Sequence, residues 1–400
     1  MEISERTKSL GTENAFVVLG EVKRLYSEGR DIVNFCIGEP DFDTPEHIKE
    51  AAIRAIKSGK TKYTPSPGIR ELREAIAEYL LETRGITVKP DWVVITCGAK
   101  PIIGYAILSV TDYGKGHEVI YPNPGYPIYE SQIKAHGAIP VPLNLREEKK
   151  FSFRIEDLEE KVNEKTRLLI LNSPHNPTGG IISREDLKRI ADIVKRFDNL
   201  WVLSDEIYSR IVYDKEFTSI ASIPGMQERT IIMDGVSKTF AMTGWRIGFA
   251  VNEKLAKYFV RWVTNTDSCA AQPSQYAALA ALTGPWKDVK SMVETYRRRR
   301  DLIVRELNSI EGIKCLLPKG AFYVWPNVTE ACRMIGAKNS EEFRRRLLYK
   351  AEVAVLADIH FGQKIEGEGE HIRLSYATSE KEIIRGMKRI RDFISDNRVN

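Results

Sequence analysis

A lysine follows a short apolar run in the stretch MDGVSKTFAMTGWRIGF, residues 233–249. The run before Lys238 is typical of a β-strand, and in α/β sheets ligands bind beyond the carboxyl ends of strands. An amine in that place can form an imine with an aldehyde cofactor. Arg246, later in the same stretch, can bind a phosphate with its forked guanidinium group. A lysine near an arginine is usually surface charge, but the whole pattern favours a cofactor site.

An acid ends the apolar run in LSDEIY, residues 203–208. A carboxylate at a strand end, as Asp205 would be, can keep the nitrogen of a pyridine ring protonated. At about 4 Å and an effective dielectric constant near 20, such a pair is worth roughly 4 kcal/mol, or about three pK units on the ring nitrogen. Tyr208 follows at a distance that would let it reach a phenolic oxygen of the ring. Alone the pattern is weak, because most such acids cap a loop.

A turn-rich segment, NSPHNPTGG, occupies residues 172–180 after the apolar run RLLIL. Asn-Pro and Thr-Gly are turn dipeptides, so a tight loop is the simplest interpretation. The length of the pattern favours a function, in which the Asn176 amide contacts both a ring oxygen of the cofactor and the substrate carboxylate.

A strand, a turn of small residues and a helix are predicted in TCGAKPIIGYAI, residues 96–107. Gly98 and Ala99 would leave backbone N–H groups open at the helix start, which is an anion site suited to a phosphate. The dinucleotide fingerprint G-x-G-x-x-G and the P-loop are both missing from this turn. The assignment therefore depends on the neighbouring motifs.

Four shorter segments complete the candidate site. Gly38 in GEPDFDTP would let a backbone N–H approach a ligand, and Tyr63 lies in the proline-bounded loop YTPSPG. Tyr126 in PNPGYPIY could stack on a flat ring. Arg373 in HIRLSYA could bind a carboxylate with two hydrogen bonds. Each segment taken singly is more often structural.

Strand-like and helix-like segments alternate through the middle of the chain, which predicts an α/β fold with a mostly parallel sheet covered by helices on both faces. The predicted strands are Trp92–Cys97, Glu118–Tyr121, Arg167–Leu171, Leu200–Ser204, Thr230–Met233 and Ile247–Val251. Helices are predicted over 101–110 and 183–197, and the later segments FYVWP and IRLSYA are strand-like. We expect a large domain over residues 46–285 and a small domain built from residues 1–45 and 286–400.

Composition narrows the class of protein. No apolar run reaches the roughly 18 residues of a membrane helix and the N-terminus has no apolar signal core, so a cytoplasmic protein without a membrane partner is expected. The five cysteines show no C-x-x-C pair, which argues against a disulfide framework or a metal site. A net charge of +5 over 400 residues is too dilute to indicate nucleic-acid binding. The run Arg297–Arg300 is interpreted as a solvated or salt-bridged helix face.

Together, and in this order and spacing, the motifs resemble the class I/II aminotransferases of the pyridoxal-phosphate fold type I superfamily, above all the aspartate aminotransferases of bacteria and archaea. The resemblance implies a large domain with a mostly parallel seven-stranded sheet and a small α+β domain. It implies that pyridoxal 5′-phosphate is held by Lys238 as a Schiff base, with Asp205 at the ring nitrogen and Tyr208 at the phenolic oxygen as the other catalytic residues. The other implied cofactor contacts are Gly98, Ala99, Lys100, Tyr126, Asn176, Ser237 and Arg246. The substrate α-carboxylate would meet Gly38, Asn176 and Arg373.

The resemblance also implies an obligate homodimer, because Tyr63 matches a tyrosine that reaches the phosphate in the partner subunit. Two positions depart from the pattern. Gly235 stands where many relatives carry a phosphate-binding serine, and His175 stands where many carry asparagine or another small residue. Lys100 has a counterpart that can meet an acidic side chain, whereas the segment GTENAF does not clearly keep the other contacts to acidic substrates.

The expected activity is transfer of an amino group from an L-amino acid such as aspartate to a 2-oxo acid such as 2-oxoglutarate. A β-lyase on the same fold keeps nearly all these residues and is the main alternative. A transcription regulator with an aminotransferase-like sensor needs an added DNA-binding domain, and GEPDF already begins at Gly38. A nicotinamide dehydrogenase is disfavoured by the missing glycine fingerprint.

Overall fold

The computed structural model describes residues 1–8, 10–11, 14–214 and 216–399. Within these residues the strands, in chain order, are β1 (Val33–Asn34), β2 (Val93–Cys97), β3 (Glu118–Asn123), β4 (Ile139–Asn144), β5 (Thr166–Asn172), β6 (Trp201–Asp205), β7 (Thr230–Gly235), β8 (Ile247–Val251), β9 (Tyr323–Val324), β10 (Val353–Ala354), β11 (Leu356–Ala357) and β12 (Ile372–Ser375).

The α-helices within the same residues are α1 (Glu5–Lys8), α2 (Asn14–Ser27), α3 (Glu46–Lys57), α4 (Arg70–Arg84), α5 (Lys100–Val110), α6 (Ile128–Ala135), α7 (Ile155–Lys161), α8 (Arg184–Lys195), α9 (Val236–Thr239), α10 (Ala256–Thr266), α11 (Gln272–Thr283), α12 (Lys287–Asn308), α13 (Thr329–Met334), α14 (Ser340–Arg346) and α15 (Glu380–Asp396). Short 3-10 turns lie at Pro90–Trp92, Glu147–Lys149, Ile220–Ser222, Gln227–Arg229, Thr243–Trp245 and Asp358–His360, and a π-helical turn at Leu347–Ala351.

A seven-stranded sheet in the order β2-β8-β7-β6-β5-β3-β4 forms the centre of the fold. The strands from β7 to β4 pair in parallel. Only β8 runs against its neighbours, β2 and β7. The mostly parallel seven-stranded sheet expected from the sequence is therefore confirmed.

Helices cover both faces of this sheet, and the strand β5 shows how. Leu168 and Ile170 are buried in the cluster that contains helices α5 and α10, whereas Leu169 and Leu171 are buried in the cluster that contains α8. Successive side chains of a strand point to opposite faces, so a strand buried on both faces becomes an unbroken apolar run. This accounts for the sequence RLLIL.

All six predicted strands of the sheet are present, but its edge strand β4 was not predicted. Its sequence contains Pro140 and Pro142. Proline cannot donate a ladder hydrogen bond, and in sheets it is confined largely to edges, where one side of the strand has no partner. Among the residues described above, β4 pairs only with β3, so the prolines are tolerated there.

The two ends of the chain meet. Val33 pairs with Val353 in a parallel two-stranded sheet, and β11, β12 and β9 form a small antiparallel sheet that includes the predicted FYVWP and IRLSYA strands. Arg299 on α12 binds Asp41 through two hydrogen bonds of 2.7 and 2.9 Å. The domain limits at 45/46 and 285/286 remain predictions.

Local sequence signals explain two helices. Ser183 caps α8 by accepting a hydrogen bond from the backbone N–H of Asp186 at 3.0 Å, as the capping pattern predicts. In α12 the arginine run is salt-bridged as expected, but Arg299 and Arg300 are buried rather than solvated, because Asp41 and Asp214 pair with them.

In the part of the chain that the structure describes, no helix is both long and apolar enough to cross a membrane. The five cysteines are free thiols; three are buried and two, Cys97 and Cys269, are half-buried.

Candidate active site

A cleft of about 440 Å³ lies beyond the carboxyl ends of β5, β6 and β7. All but two of the predicted site residues line it: Gly38, Ala99, Lys100, Tyr126, Asn176, Asp205, Tyr208, Ser237, Lys238, Arg246 and Arg373. The others are Gly98, which borders the cleft through Arg246, and Tyr63, which lies outside it. The structure thus brings together side chains that are up to several hundred residues apart in sequence. Their roles remain predictions.

Lys238 stands on the short helix α9, directly after β7, and is half-buried. Its Nζ donates a hydrogen bond of 2.7 Å to the carbonyl oxygen of Gly38. Gly235 ends β7 where the backbone is crowded, because a Cβ there would lie 2.8 Å from the carbonyl oxygen of Ile247. A serine side chain at position 235 would therefore be crowded, whereas Ser237, two residues on, lines the cleft.

Asp205 ends β6 and is buried. The Tyr129 hydroxyl donates to its Oδ2 at 2.6 Å, and the backbone N–H of Ile207 donates to its Oδ1 at 3.2 Å. Burial raises the pKa of Asp205 to about 6, while the hydrogen bond from Tyr129 lowers it. A cation in the cleft would favour the charged carboxylate further. Tyr129 was not predicted, although it ends the PNPGYPIY segment from which Tyr126 was chosen.

The Tyr208 hydroxyl lies 2.7 Å from the hydroxyl of Tyr323. The two rings meet edge to face, with centroids 5.7 Å apart. Tyr323 lines the cleft and is buried, yet it was predicted only as part of a strand. Its partner lies 115 residues away in sequence, so no local pattern marks the contact.

Arg373 projects from β12 into the cleft between two aromatic rings. Its guanidinium carbon lies 4.5 Å from the ring centroid of Tyr323 and 4.8 Å from that of Phe361. One terminal nitrogen donates to Asn176 Oδ1 at 3.0 Å, and the other donates to the Cys36 carbonyl oxygen. Its buried Nε has no hydrogen-bond partner among the described residues. A flat, buried guanidinium with a spare donor suits a carboxylate ligand.

Gly98 and Arg246 form a cradle at the start of α5. A Cβ on Gly98, whose φ is +85°, would lie 2.1 Å from Nη2 of Arg246, so only glycine lets the arginine approach. Gly248 is equally constrained, because its Cβ would lie 2.4 Å from the backbone nitrogen of Ala99. Arg246 is exposed, and its Nη1 donates to the Thr243 carbonyl oxygen at 2.9 Å. The helix start and the guanidinium together provide an anion site.

Two aromatic rings flank Lys100 at the wall of the cleft. Its Nζ lies 5.7 Å from the ring centroid of Tyr126 and 6.0 Å from that of Phe16. All three residues line the cleft. The ammonium group therefore lies on the cleft side of α5.

Tyr63 is 86% exposed and stands on the loop before α4. The backbone N–H of the next residue, Thr64, anchors that loop by donating to Cys269 Sγ at 3.4 Å. The Tyr63 side chain is therefore exposed at the surface, outside the cleft.

Comparison with known proteins identifies the family. Residues 30–390 match the family described as "Aminotransferase class I and II". The chain is a class I/II aminotransferase. The family that its motifs resemble is thereby confirmed, as is the expectation of an enzyme.

Individual members of this family are similar over nearly their whole length. The chain is 39% identical over 401 residues to the probable aspartate/prephenate aminotransferase of Aquifex aeolicus, covering 98% of this chain and 99% of that protein. It is 39% identical over 389 residues to aromatic-amino-acid aminotransferase 2 of Thermococcus litoralis, covering 95% and 96%.

A solved structure, the aspartate aminotransferase from Rhizobium meliloti, superposes with a TM-score of 0.93 at 35% identity and covers 100% of both chains. The expected fold, that of the pyridoxal-phosphate fold type I enzymes, is confirmed by this likeness. Because these relatives are named aminotransferases, the β-lyase alternative is not favoured.

Proposed function

We propose that this aminotransferase binds pyridoxal 5′-phosphate in the cleft and moves the amino group of an acidic L-amino acid, such as aspartate, to a 2-oxo acid such as 2-oxoglutarate. The observation that carries the proposal is that the amine of Lys238 and the carboxylate of Asp205 face one cleft with Arg246 and Arg373. Following oxaloacetate and glutamate formation from aspartate and 2-oxoglutarate tests it. Elimination products without amino transfer would contradict it.

The groups that line the cleft fit this cofactor. The cradle of Gly98, Ala99 and Arg246, together with Ser237, supplies donors for a phosphate at the start of α5. Asp205 supplies a carboxylate for a protonated ring nitrogen. Further polar and aromatic contacts would come from Tyr208, Asn176, Tyr126 and the backbone of Lys100. When bound, pyridoxal phosphate supplies a protonated pyridine ring that withdraws electrons from the substrate Cα.

The chain itself supplies position and proton transfer. Arg373 and Asn176, already hydrogen-bonded to each other, would hold the substrate α-carboxylate together with the backbone of Gly38, which restricts rotation of the Cα–H bond. Lys238 Nζ is the base that takes the proton from the substrate Cα and later returns one. Its hydrogen bond to the Gly38 carbonyl oxygen keeps the amine beside this carboxylate site.

Substrate preference is expected to depend on Lys100. Its ammonium group lies over the rings of Tyr126 and Phe16 at the cleft wall, where a distal carboxylate of aspartate or glutamate could meet it. The same rings would accept an aromatic side chain, which is why both aspartate and aromatic donors belong in the test. The names of the similar aminotransferases include both substrates.

Lys100→Met is expected to lower kcat/KM for aspartate at least about tenfold more than for phenylalanine, because a charge-assisted hydrogen bond contributes roughly 1.5–3 kcal/mol. A panel of amino donors with 2-oxoglutarate measures the difference. Lys257→Met is the matched control, since Lys257 also lies over a tyrosine ring, that of Tyr258 at 5.0 Å, but outside the cleft lining. Equal losses for all donors would show that Lys100 does not read the substrate.

A homodimer with shared active sites is proposed from Tyr63, whose exposed hydroxyl would reach the phosphate in the partner's cleft. Hybrids of Lys238→Ala and Tyr63→Phe subunits should then hold one intact site and be more active than either parent. Hybrids of the wild type with the double variant Lys238→Ala/Tyr63→Phe should hold none. If the hybrids of wild type with the double variant are active and the hybrids of the two single variants are not, Tyr63 serves the site of its own subunit.

A large domain over residues 46–285 and a small domain from 1–45 and 286–400 would place the cleft between them, with Gly38 and Arg373 on one side and Lys238 on the other. Five free thiols support a cytoplasmic location, because disulfides are rare there.

A further inference from the structure

Tyr323 touches three of the groups to which the proposed function gives a role. Its hydroxyl lies 2.7 Å from that of Tyr208, and its ring lies under the guanidinium of Arg373. It also closes over Gly38, since a Cβ on that glycine would lie 1.9 Å from the Tyr323 hydroxyl oxygen. The residue is 1% exposed. Tyr323 therefore contacts Tyr208, which the proposed function assigns to the cofactor, and also Arg373 and Gly38, which it assigns to the substrate carboxylate.

Strand pairing fixes Tyr323 in this place. Its strand β9 pairs with β12, with Tyr323 opposite Ser375 and Val324 opposite Leu374, so Tyr323 and Arg373 project from adjacent strands. Phe322 packs on the same ring, with centroids 5.0 Å apart. The ring therefore has little freedom to turn, and the direction of its hydroxyl is set by the small sheet.

The hydroxyl contact has two possible directions with opposite consequences. If Tyr323 donates to the Tyr208 oxygen, the Tyr208 proton is free to point into the cleft, and donors in a chain strengthen one another. If Tyr208 donates to Tyr323, its proton is turned away. Only the first direction lets Tyr208 donate to a phenolic oxygen of the cofactor.

The ring contact acts on a different group. Arg373 is held between the faces of Tyr323 and Phe361, and both its terminal nitrogens are hydrogen-bonded. Cation–π contacts are strongest where the cation is removed from water, as Arg373 is. Removing one ring would let the guanidinium tilt.

We infer that Tyr323 is a positioning residue that serves both ends of the site. Its hydroxyl donates to Tyr208 and so directs the Tyr208 proton at the cofactor, while its ring holds the Arg373 guanidinium flat for the substrate carboxylate. The inference rests on the proposed function, because it assigns the cleft to pyridoxal phosphate and an amino acid. The two roles can be separated by substitution, since phenylalanine removes the hydroxyl alone and leucine removes both.

Tyr323→Phe should raise, by about 0.5–1 unit, the pH at which the visible absorption of the bound cofactor is half changed. A hydrogen bond to the phenolic oxygen favours the deprotonated form of the cofactor, so weakening that bond favours the protonated form. Binding of succinate, an unreactive dicarboxylate, should change less than about threefold, because the ring over Arg373 remains. Tyr323→Leu should show the same midpoint shift and should also weaken succinate binding at least about tenfold. Succinate binding is measured by titration calorimetry of the cofactor-loaded enzyme.

Tyr376→Phe is the matched control. Tyr376 is fully buried and its hydroxyl donates to that of Tyr213 at 3.1 Å, but neither residue lines the cleft. This variant should leave both the midpoint and succinate binding unchanged, which separates a specific effect from the loss of any buried hydroxyl.

A lowered or unchanged midpoint in Tyr323→Phe would overturn the proposed direction of the hydroxyl bond. Unchanged succinate binding in Tyr323→Leu would overturn the role of the ring. If Tyr323→Leu does not fold, Tyr323→Phe still decides the hydroxyl role, and Tyr323→Met, which removes the ring but fills more of its space, tests the ring role by the same succinate measurement. A wild-type enzyme without cofactor absorbance would contradict the proposed function instead.

Discussion

Lys238→Ala should lower the rate of amino transfer by about 10²–10⁴-fold from the loss of general acid–base catalysis alone, and by more if the covalent bond to the cofactor also accelerates exchange. Cofactor should nevertheless remain bound, because the phosphate cradle of Gly98, Ala99 and Arg246 does not depend on the lysine. The expected variant is therefore loaded but inactive. Rate and bound cofactor are measured on the same sample, by coupled assay and by absorbance.

Borohydride reduction followed by peptide mapping identifies the lysine directly. The wild-type enzyme should carry the cofactor on the peptide that contains Lys238, and Lys238→Ala should carry none. Lys257→Ala, which removes an exposed lysine outside the cleft, is the control and should be labelled like the wild type. Label on a different lysine in the wild type would refute the assignment.

Residues that carry their own local signal could be predicted from the sequence. Lys238, Asp205 and Asn176 each follow a strand-like run within a few residues, and parallel strands end at one edge of a sheet. The alternating pattern predicted such a sheet, and the cleft beyond its strand ends contains all three side chains. The strand β4 shows the limit, since its prolines are tolerated because no described residue pairs with its outer edge.

Residues whose role lies in a distant contact could not be predicted in this way. Tyr129 meets Asp205 across 76 residues and Tyr323 meets Tyr208 across 115. Neither tyrosine has a neighbour pattern that separates it from an ordinary core tyrosine. Their contacts depend on which strand lies next to which, and the order β7-β6-β5-β3 and the pairing of β9 with β12 are properties of the assembled fold.

A further group of this kind is a buried charge cluster formed by Arg84, Glu206 and Asp234. Arg84 Nε donates to Glu206 at 2.6 Å, and its Nη2 donates to Asp234 and, at 2.8 Å, to Ser209. All three charged side chains are at most 1% exposed. The cluster joins the end of α4 to Glu206, the residue after Asp205, and to Asp234 in β7, the strand that precedes Lys238.

Arg84→Met should therefore destabilise the protein by about 3–5 kcal/mol, because it removes the one cation that pairs with both buried carboxyl groups of the cluster. The measurement is the free energy of unfolding from urea denaturation at fixed protomer concentration. Arg70→Met is the matched control on the same helix. Arg70 forms an exposed pair with Glu74 at 2.7 Å, and such pairs contribute little, so its denaturation midpoint should stay close to that of the wild type.

The loss of stability in Arg84→Met should also depend on pH in a defined direction. Burial raises the pKa of Asp234 to about 7 in the folded protein, although the Arg84 charge lowers it, so removing Arg84 raises it further. The unfolded chain releases this proton near pH 4, so the folded state binds more protons above that value and its stability falls as pH rises. In the wild type this fall ends near pH 7, whereas in Arg84→Met it continues above that pH. The difference between the two proteins should thus be greater at pH 8 than at pH 5, and adding Asp234→Asn to Arg84→Met should reduce that increase. A difference independent of pH would show that Arg84 does not stabilise the charged form of Asp234.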